Sequence, residues 1–330
     1  MGDSFSFSKI ELYDNCKFKY KLKYIDKNYF PSESIATAYG SLIHKIEELI
    51  AIYIMDNKPI NYAELTNKFI NGTDDADKHI KGIKEISEKF KDDYYLPDKS
   101  GKTYDEKSNY YLTEGIYRLE NLMRANPNYQ IIGVELPFEF ENEIGNFNGV
   151  IDRLIFDSHT NTIIIQDIKT YSEPMKSEKL SAPLQMVIYT MAAKLSCKLT
   201  DQNIICQYDL PLLNIIQTVT NKNYMITGTK KLLKLFKEIN DNDFTPKPSP
   251  LCHWCEFCLT NKNAPDRGKH LCPYFSLWTR ENPTTDVANI WLGLDLHQLV
   301  LNNYHKALNL NNLTTEGGEI NGNFSKSSSL

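Results

Sequence analysis

The feature that most constrains this fold is a pair of apolar runs in mid-chain, separated by a short polar turn. Residues 149–156 and 162–170 are rich in Ile and Val, and the turn at 157–161 reads Asp-Ser-His-Thr-Asn. Branched apolar residues favour strands, whereas Asp, Ser and Asn favour turns, so the segment predicts a β-hairpin. The Ile-Ile-Ile run at 163–165 further predicts that the second strand is buried on both faces.

The register of this hairpin predicts that three charged side chains share one face. If the loop has four residues, Asp157 pairs with Thr162 and Asp152 lies opposite Asp167. Opposed Cβ atoms lie roughly 4.5–5.5 Å apart, and Lys169, two residues after Asp167, points to the same face. One interpretation is a structural ion pair, buried or solvated. The other is a site where both carboxylates share a divalent metal while the lysine positions or deprotonates a water.

Composition fits a folded protein of a reducing compartment. The 330 residues are 41% hydrophobic and carry a net charge of −5, which argues against a uniformly basic nucleic-acid coat but permits a local basic groove. We find neither a secretory signal pattern nor an apolar stretch long enough to span a bilayer. Seven cysteines in this setting indicate metal ligation rather than disulfides. We therefore expect a cytoplasmic protein, encoded by a bacterium or phage, with no membrane partner.

Periodicity predicts helices on both sides of a central group of strands. Helical patterns occupy residues 5–25, 38–56, 60–126 with a polar linker at 96–108, 183–197, 228–240 and 286–308. Strand-like segments occupy residues 129–141, 147–156, 162–170 and 203–219. The sequence therefore predicts an α/β fold in which a central mixed β-sheet is flanked by helices.

Four short motifs occur in a fixed order along most of the chain. They are Ser-Phe-Ser at 6–8 with Leu12, Tyr13 and Cys16; Gly40 with His44; Gly149-Val-Ile-Asp152 with Asp167-Ile-Lys169; and Gln185 with Tyr189. Together they resemble the RecB-like branch of the PD-(D/E)XK nuclease superfamily, which includes nuclease domains of recombination helicase–nucleases and CRISPR-associated exonucleases. Two positions depart from the family pattern: Ile151 replaces the proline that names the superfamily, and Lys17 replaces the proline that usually follows the cysteine.

The resemblance implies a metal-dependent deoxyribonuclease with a restriction-endonuclease-like core. Asp152 and Asp167 offer hard oxygen ligands for Mg²⁺ or Mn²⁺, His44 adds a nitrogen that favours Mn²⁺, and the Ile168 carbonyl could complete the set. Lys169 would orient or deprotonate the attacking water and offset transition-state charge.

Three further residues are candidates whose roles have plainer alternatives. Glu135 could be another acidic ligand, although a glutamate at a strand edge is more often solvated. Gln185 and Tyr189 share a helix face and are expected to contact the DNA backbone or Lys169, although alone they would be ordinary packing residues. His44 alone would equally be a hydrogen-bonded histidine on a helix surface.

A cysteine cluster is the second strong signal. Cys252, Cys255 and Cys258 follow one another closely, and Cys272 is followed by proline. The resemblance implies a [4Fe–4S] cluster held by Cys16, Cys252, Cys255 and Cys272, with Cys258 as the competing ligand. The alternative is a structural Zn²⁺ site made by Cys252, Cys255, Cys258 and Cys272. We prefer the iron–sulfur interpretation because it gives Cys16 a role.

By this resemblance we expect one nuclease domain over residues 1–313. Its parts are N-terminal helices with Cys16 and His44 at 1–56, a helical insertion at 57–128, the catalytic core at 129–240 and a cysteine-rich segment with a C-terminal helix at 241–313. The polar tail at 314–330 is expected to be disordered.

The expected activity is that of an exonuclease on single-stranded DNA or DNA ends, in recombination, repair, phage DNA processing or CRISPR adaptation. A separate helicase or recombination protein is a possible partner, since the chain lacks a Walker A loop. Lysine-rich segments at 17–27 and 230–237 could track phosphates, or could be solvated helix faces. The alternatives are a non-catalytic DNA-binding subunit with an iron–sulfur or zinc site, and a structure-specific endonuclease.

Overall fold

The computed structural model describes residues 4–30, 33–75, 78–181 and 183–258, together with residues 261, 265, 268, 271 and 272. The chain forms two compact units: the first contains Met1–Asp14 and Ser32–Asp243, and the second contains Asn15–Pro31 and Phe244–Leu330. The helix expected at 286–308 and the tail at 314–330 lie outside the described residues. The predicted domain boundaries stay a prediction.

A mixed sheet forms the centre of the first unit. The strands of the described chain are β1 (Ser4–Phe5), β2 (Thr73–Asp75), β3 (Lys78–Ile80), β4 (Tyr129–Glu141), β5 (Asn146–Asp157), β6 (Thr162–Ile168), β7 (Asn203–Leu210) and β8 (Ile215–Thr218). Six of them form one sheet in the order β1-β5-β6-β7-β8, with β4 also paired to β5. The pairs β1–β5 and β6–β7 are parallel and the other pairs in this sheet are antiparallel. The predicted mixed sheet is therefore confirmed.

The hairpin of β5 and β6 has the register that the sequence predicts. Asp157 pairs with Thr162, which leaves residues 158–161 as the loop, and the ladder ends at the pair of Arg153 with Gln166. Every residue of β6 is buried. Burial on both faces explains why this strand lacks the polar alternation of a strand with one solvated face.

Helices of the first unit flank the sheet. The described residues form eleven α-helices. They are α1 (Phe7–Asn15), α2 (Lys17–Tyr20), α3 (Ile35–Met55), α4 (Tyr62–Asn71), α5 (Ile83–Lys89), α6 (Lys91–Tyr94), α7 (Tyr104–Thr113), α8 (Arg118–Ala125), α9 (Ser177–Ser181), α10 (Leu184–Leu195) and α11 (Tyr224–Asn240). Short 3₁₀ turns cover Gly115–Tyr117 and Pro250–Trp254, and a π-helical turn covers Lys21–Ile25.

Two predicted helical regions are more broken than the sequence suggested. Within 5–25, Cys16 has an extended backbone (φ −158°, ψ 106°) that separates α1 from α2. The region 60–126 contains several short helices and the small β2–β3 sheet instead of two or three longer helices. Periodicity identified apolar faces correctly but could not locate these breaks, since short elements depend on tertiary contacts for stability.

The long helix α3 carries the core of the first unit. Ser34 caps it by accepting a hydrogen bond from the Thr37 N–H at 3.2 Å. Leu42, Ile46 and Ile50, one turn apart, are fully buried in a cluster of apolar side chains that extends to the sheet. This packing fixes the rotation of α3 and therefore the direction of its polar residues. Over the described ranges, no helix has the length and apolar character needed to cross a membrane.

Candidate functional site

Three carboxylates lie in a row across adjacent strands. In the β4–β5 ladder Val134 pairs with Arg153 and Leu136 pairs with Ile151, so Glu135 lies opposite Asp152. One step beyond the last pair of the β5–β6 ladder, Asp152 lies opposite Asp167. The cross-strand pairing predicted for Asp152 and Asp167 therefore continues into β4, where Glu135 lies opposite Asp152.

Glu135 has a strained backbone. Its φ is +43°, in the left-handed region that residues other than glycine rarely adopt. Such a conformation costs on the order of 1–3 kcal/mol and is concentrated at functional sites. From sequence alone, Glu135 was a further acidic ligand whose more common alternative was a solvated glutamate at a strand edge. Counting outward from the Glu141–Asn146 pair would have found it, because the same arithmetic that aligned Asp152 with Asp167 applies to this turn.

His44 reaches the row from α3. Its Nδ1 lies 3.7 Å from Asp152 Oδ2. Gly40, one turn earlier, makes this approach possible: a Cβ there would lie only 3.3 Å from Thr170 Oγ1, just after β6. The Gly40 and His44 motif is therefore a packing device that holds a histidine beside the strand end.

His44, Glu135 and Asp152 form a candidate metal centre. One ligand atom from each lies within 4.8 Å of the others. Burial, followed by the charge of Asp152, raises the pKa of Glu135 to about 7. Burial lowers the pKa of His44, which favours the neutral ring that can bind a metal. Two facing carboxylates and a neutral imidazole are a donor set that fits a divalent cation such as Mg²⁺ or Mn²⁺.

Asp167 is engaged by protein groups. Its Oδ1 accepts a hydrogen bond from Gln185 Nε2 at 2.5 Å, and its Oδ2 forms an ion pair with Lys169 Nζ at 2.6 Å. The Lys169 side chain is 22% exposed and that of Asp167 only 2%, so the ammonium is the part of the pair that solvent reaches. Burial by itself would lower the pKa of Lys169, but the charge and hydrogen bond of Asp167, together with smaller contributions from Tyr171 and Asp152, raise it above its usual value.

Asp152 belongs to the candidate metal centre and also contacts the end of β6, next to Asp167. Its Oδ2 accepts a hydrogen bond from the Ile168 N–H at 2.7 Å. Asp167 lies outside the set of His44, Glu135 and Asp152, and its role as a metal ligand stays a prediction, as does that of the Ile168 carbonyl.

Gln185 and Tyr189 lie in the first half of α10, beside Asp167. Gln185 Nε2 is 3.0 Å from Tyr189 Oη as well as 2.5 Å from Asp167 Oδ1. The Tyr189 ring packs edge-on against Phe138 of β4. Gln185 therefore contacts Asp167, which is paired with Lys169, and the predicted contact of Gln185 and Tyr189 with the DNA backbone or Lys169 stays a prediction.

A network of buried charges, which the sequence patterns did not predict, lies next to these residues. Arg153, which follows Asp152, donates to Asp209 Oδ2 at 3.0 Å and to Glu47 Oε2 at 3.2 Å. Arg118 forms ion pairs with the same two carboxylates. Gln166, which precedes Asp167, accepts from Arg153 at 3.0 Å. We call Glu47, Arg118, Arg153 and Asp209 the buried quartet.

The buried quartet has a formal charge of zero, which makes its burial possible. Glu47, Arg153 and Asp209 are fully buried, and such charges persist inside a protein only when they are paired and hydrogen-bonded. Asp209 also holds the site through its backbone, because its carbonyl accepts from the Lys169 N–H at 2.8 Å. The sequence contained one sign of this network, because Arg153 is a charged residue inside an apolar strand and would need buried partners of opposite charge.

The second unit brings the predicted cysteines together. Cys16, Cys255 and Cys272 pack against a small core of Phe18, Leu22 and Phe257. A hydrogen bond with Cys258, followed by burial, raises the pKa of Cys252. Burial raises the pKa of Cys255 to about 11, and Cys16 is among the neighbours that add to the shift. Cys206 is buried elsewhere, in β7, and Cys197 lies just after α10.

Several lysines of the two basic segments are paired with acids. Lys19 forms an ion pair with Glu256 at 2.6 Å and Lys21 with Asp26 at 2.6 Å. In α11, Lys231 contacts Asp14 at 2.6 Å. These pairs engage the three ammonium groups with protein carboxylates, and the predicted role of the basic segments in tracking phosphates stays a prediction.

The sequence profile of the PD-(D/E)XK nuclease superfamily matches residues 4–258, and the chain belongs to this superfamily. Membership implies a nuclease with DNA as its substrate, and together with the candidate metal centre it indicates a metal-dependent one. No curated protein matches the chain. Among solved structures, one titled "Crystal structure of SSO0001" is 12% identical and covers 73% of this chain and 91% of its own, with a TM-score of 0.27.

Proposed function

We propose that this chain is a RecB-like, metal-dependent deoxyribonuclease that acts as an exonuclease on single-stranded DNA or DNA ends. The observation that carries the proposal is the row of Glu135, Asp152 and Asp167, flanked by His44 on one side and Lys169 on the other. A non-catalytic scaffold would gain nothing from this arrangement, because burying and straining charged residues costs folding free energy.

His44, Glu135 and Asp152 would hold the cation, with Asp167 and the Ile168 carbonyl as further ligands. A bound Mg²⁺ or Mn²⁺ supplies Lewis-acid stabilisation of charge on the scissile phosphate. The geometry fits this function, since one carboxylate oxygen of Glu135 and one of Asp152 lie within 4.8 Å of each other.

Lys169 would orient the attacking water and stabilise negative charge that develops on the phosphate. The sequence left open whether this lysine acts as a base. Asp167 raises the pKa of Lys169, and the ammonium therefore stays protonated at neutral pH. An ammonium donates hydrogen bonds and cannot accept a proton, which favours the orienting role. Gln185 would fix Asp167 and, through it, the position of the ammonium.

The test is a cleavage assay on matched substrates. Wild-type protein and Lys169→Ala would be incubated with end-labelled linear single strands, with blunt duplex and with circular single strands, in Mn²⁺, Mg²⁺ or EDTA. We expect metal-dependent release of nucleotides from linear single strands, no cutting of circles, and a loss of at least about a hundredfold in Lys169→Ala. Equal cleavage by the variant would refute the mechanism, and cutting of circles would establish an endonuclease.

We further propose that the second unit holds a [4Fe–4S] cluster through Cys16, Cys252, Cys255 and Cys272. Thiols packed against one another with raised pKa values are protonated without metal, and ligation would deprotonate them. The influence of Cys16 on Cys255 supports a ligand set that includes the N-terminal cysteine. The role is structural: ligation would join the segment around Cys16 to the cysteine-rich segment within this unit.

Two cysteine variants separate the iron–sulfur set from the zinc set. After anaerobic purification, iron, acid-labile sulfide and zinc would be measured together with visible absorption. Cys16→Ser should lose the iron, whereas Cys258→Ser should retain it, and Cys197→Ser serves as the control. A colourless protein whose zinc is lost in Cys258→Ser but kept in Cys16→Ser would establish the zinc alternative.

A further inference from the structure

We propose that a cleft beginning at Lys169 binds the single strand on one side of the scissile phosphate, with a base stacked on Tyr171 and phosphates on Lys176 and Lys179. We call it the Tyr171 cleft. The inference rests on the proposed nuclease function and names the part of the substrate that this surface holds.

The cleft consists of two adjoining cavities of about 250 and 460 Å³. The smaller is lined by Lys169 and Gln185 of the candidate site, and the larger extends to Lys99 and Lys176. Tyr171, Met175 and Lys179 line both cavities. A strand whose phosphate lies at Lys169 would therefore find a continuous depression along the segment that follows β6.

This segment is fixed before any ligand binds. The Met175 N–H donates to Gln217 Oε1 at 2.7 Å, and the Met175 carbonyl accepts from Gln217 Nε2 at 3.1 Å. Ser172 hydrogen-bonds to Asp98 and to Lys107, whose ammonium lies 2.5 Å from Asp98. A wall held at two points loses little conformational freedom on binding.

Lysines outnumber uncompensated acids in the larger cavity. Lys99, Lys176 and Lys179 line it together with Glu173 and with Asp98, which is paired with Lys107. The smaller cavity is also lined by Glu11 and by Asp14, and the latter is neutralised by Lys231. A phosphate backbone would therefore be attracted by the three lysines and repelled at Glu11 and Glu173.

Tyr171 supplies the surface for a base. Its side chain is 39% exposed although burial raises its pKa, so part of the ring is fixed in the protein and part is open to the cleft. Aromatic side chains beside a basic groove stack unpaired bases without regard to sequence. Bases within a duplex are already stacked on one another, and the cleft should thus favour single strands.

The test measures binding in EDTA, where metal-dependent cleavage cannot occur. Fluorescence anisotropy would follow a labelled oligothymidylate and a duplex of equal length. We expect Lys176→Ala/Lys179→Ala to weaken single-strand binding roughly tenfold and to reduce the salt slope by about 0.7 per lost phosphate contact. Tyr171→Ala should weaken binding several-fold while Tyr171→Phe preserves it, and Glu11→Gln should strengthen it.

The matched control is Lys194→Ala/Lys222→Ala, which removes two exposed lysines that do not line the cleft. Equal affinity of this control and Lys176→Ala/Lys179→Ala would overturn the proposal, provided both melt at the wild-type temperature. Wild-type protein that binds single strands through the cleft lysines but never cleaves them would support the cleft and refute the nuclease function. If wild-type protein cleaves single strands while Lys176→Ala/Lys179→Ala and Tyr171→Ala bind them as tightly as wild type, the nuclease function is supported and the cleft is refuted.

Discussion

Glu135 faces Asp152 across the β4–β5 ladder from a backbone with a φ of +43°. The chain therefore maintains a strained residue at the point where it gains a second carboxylate for the candidate metal centre. Strain of this kind persists only where surrounding structure imposes it. We infer that the strain serves the proposed metal centre rather than stability.

Glu135→Gln should weaken Mn²⁺ binding by about tenfold or more, because an amide cannot supply the negative charge that a hard cation prefers. Titration calorimetry with Mn²⁺ measures this. Glu139→Gln is the control, since Glu139 lies in the same strand, is exposed and pairs with Asn148. Similar Mn²⁺ affinity in the two variants would remove Glu135 from the ligand set.

Gly40→Ala should separate stability from activity. Alanine in place of a helical glycine ordinarily stabilises a protein by roughly 0.5–1 kcal/mol. Here the added Cβ would lie 3.3 Å from Thr170 Oγ1, so either that hydroxyl or α3, which carries His44, must shift by a few tenths of an ångström. We expect lower Mn²⁺ affinity and lower cleavage rates in a protein that remains folded. Gly40→Ala/Thr170→Ala, which removes the opposing hydroxyl, should recover part of both, and no recovery would contradict this account.

Arg153→Met should destabilise the protein by about 3–5 kcal/mol, because Glu47 and Asp209 would keep buried charge with one arginine fewer to compensate it. Urea denaturation gives the free energy of unfolding. The control is Arg124→Met, since Arg124 pairs with Glu120 on an exposed helix face and such pairs contribute only about 0.3–0.5 kcal/mol. Adding Glu47→Gln to Arg153→Met should restore part of the loss.

Gln185→Leu and Tyr189→Phe should differ in their effects on cleavage. Removing the Gln185 amide leaves Asp167 Oδ1 without its donor at 2.5 Å, so the Asp167–Lys169 pair loses its fixed position. We expect kcat to fall by about tenfold to a hundredfold with little change in KM. Tyr189→Phe keeps the ring contact with Phe138 and should cost much less. Equal losses in kcat would show that Gln185 acts through its hydrogen bond with the Tyr189 hydroxyl rather than through its hydrogen bond with Asp167.

His79 should titrate at a pH above its usual value. The ring donates hydrogen bonds to Glu85 and Asp74, and these bonds raise its pKa, with both carboxylates 2.8 Å from the ring. The stabilisation is fully present below the unfolded pKa of about 6.5 and is lost as the pH rises through the folded pKa. NMR titration of the ring protons measures the shift, and Glu85→Gln should reduce it.

The sequence predicted the sheet well because its strands are encoded by local patterns. The turn at Asp157 and the Ile-Ile-Ile run of β6 predicted the register of the hairpin, and family motifs marked His44 and Gln185 as candidates. Glu135 received too little weight because its importance comes from pairing with β5, which local composition does not reveal. The buried quartet escaped for a related reason: Glu47, Arg118 and Asp209 are distant in sequence, and only the folded chain brings them to Arg153.

Functional and structural charges alternate along the two central strands. Asp152 is followed by Arg153 of the buried quartet, and Asp167 is preceded by Gln166, which bonds to that arginine. Because successive strand residues point to opposite faces, a slip of one residue would exchange the two sets. A misregistered chain would then present an arginine to the metal and bury an unpaired aspartate. Such a chain would lose the buried quartet together with the candidate metal centre, so the register that satisfies the buried charges is also the one that assembles the proposed site.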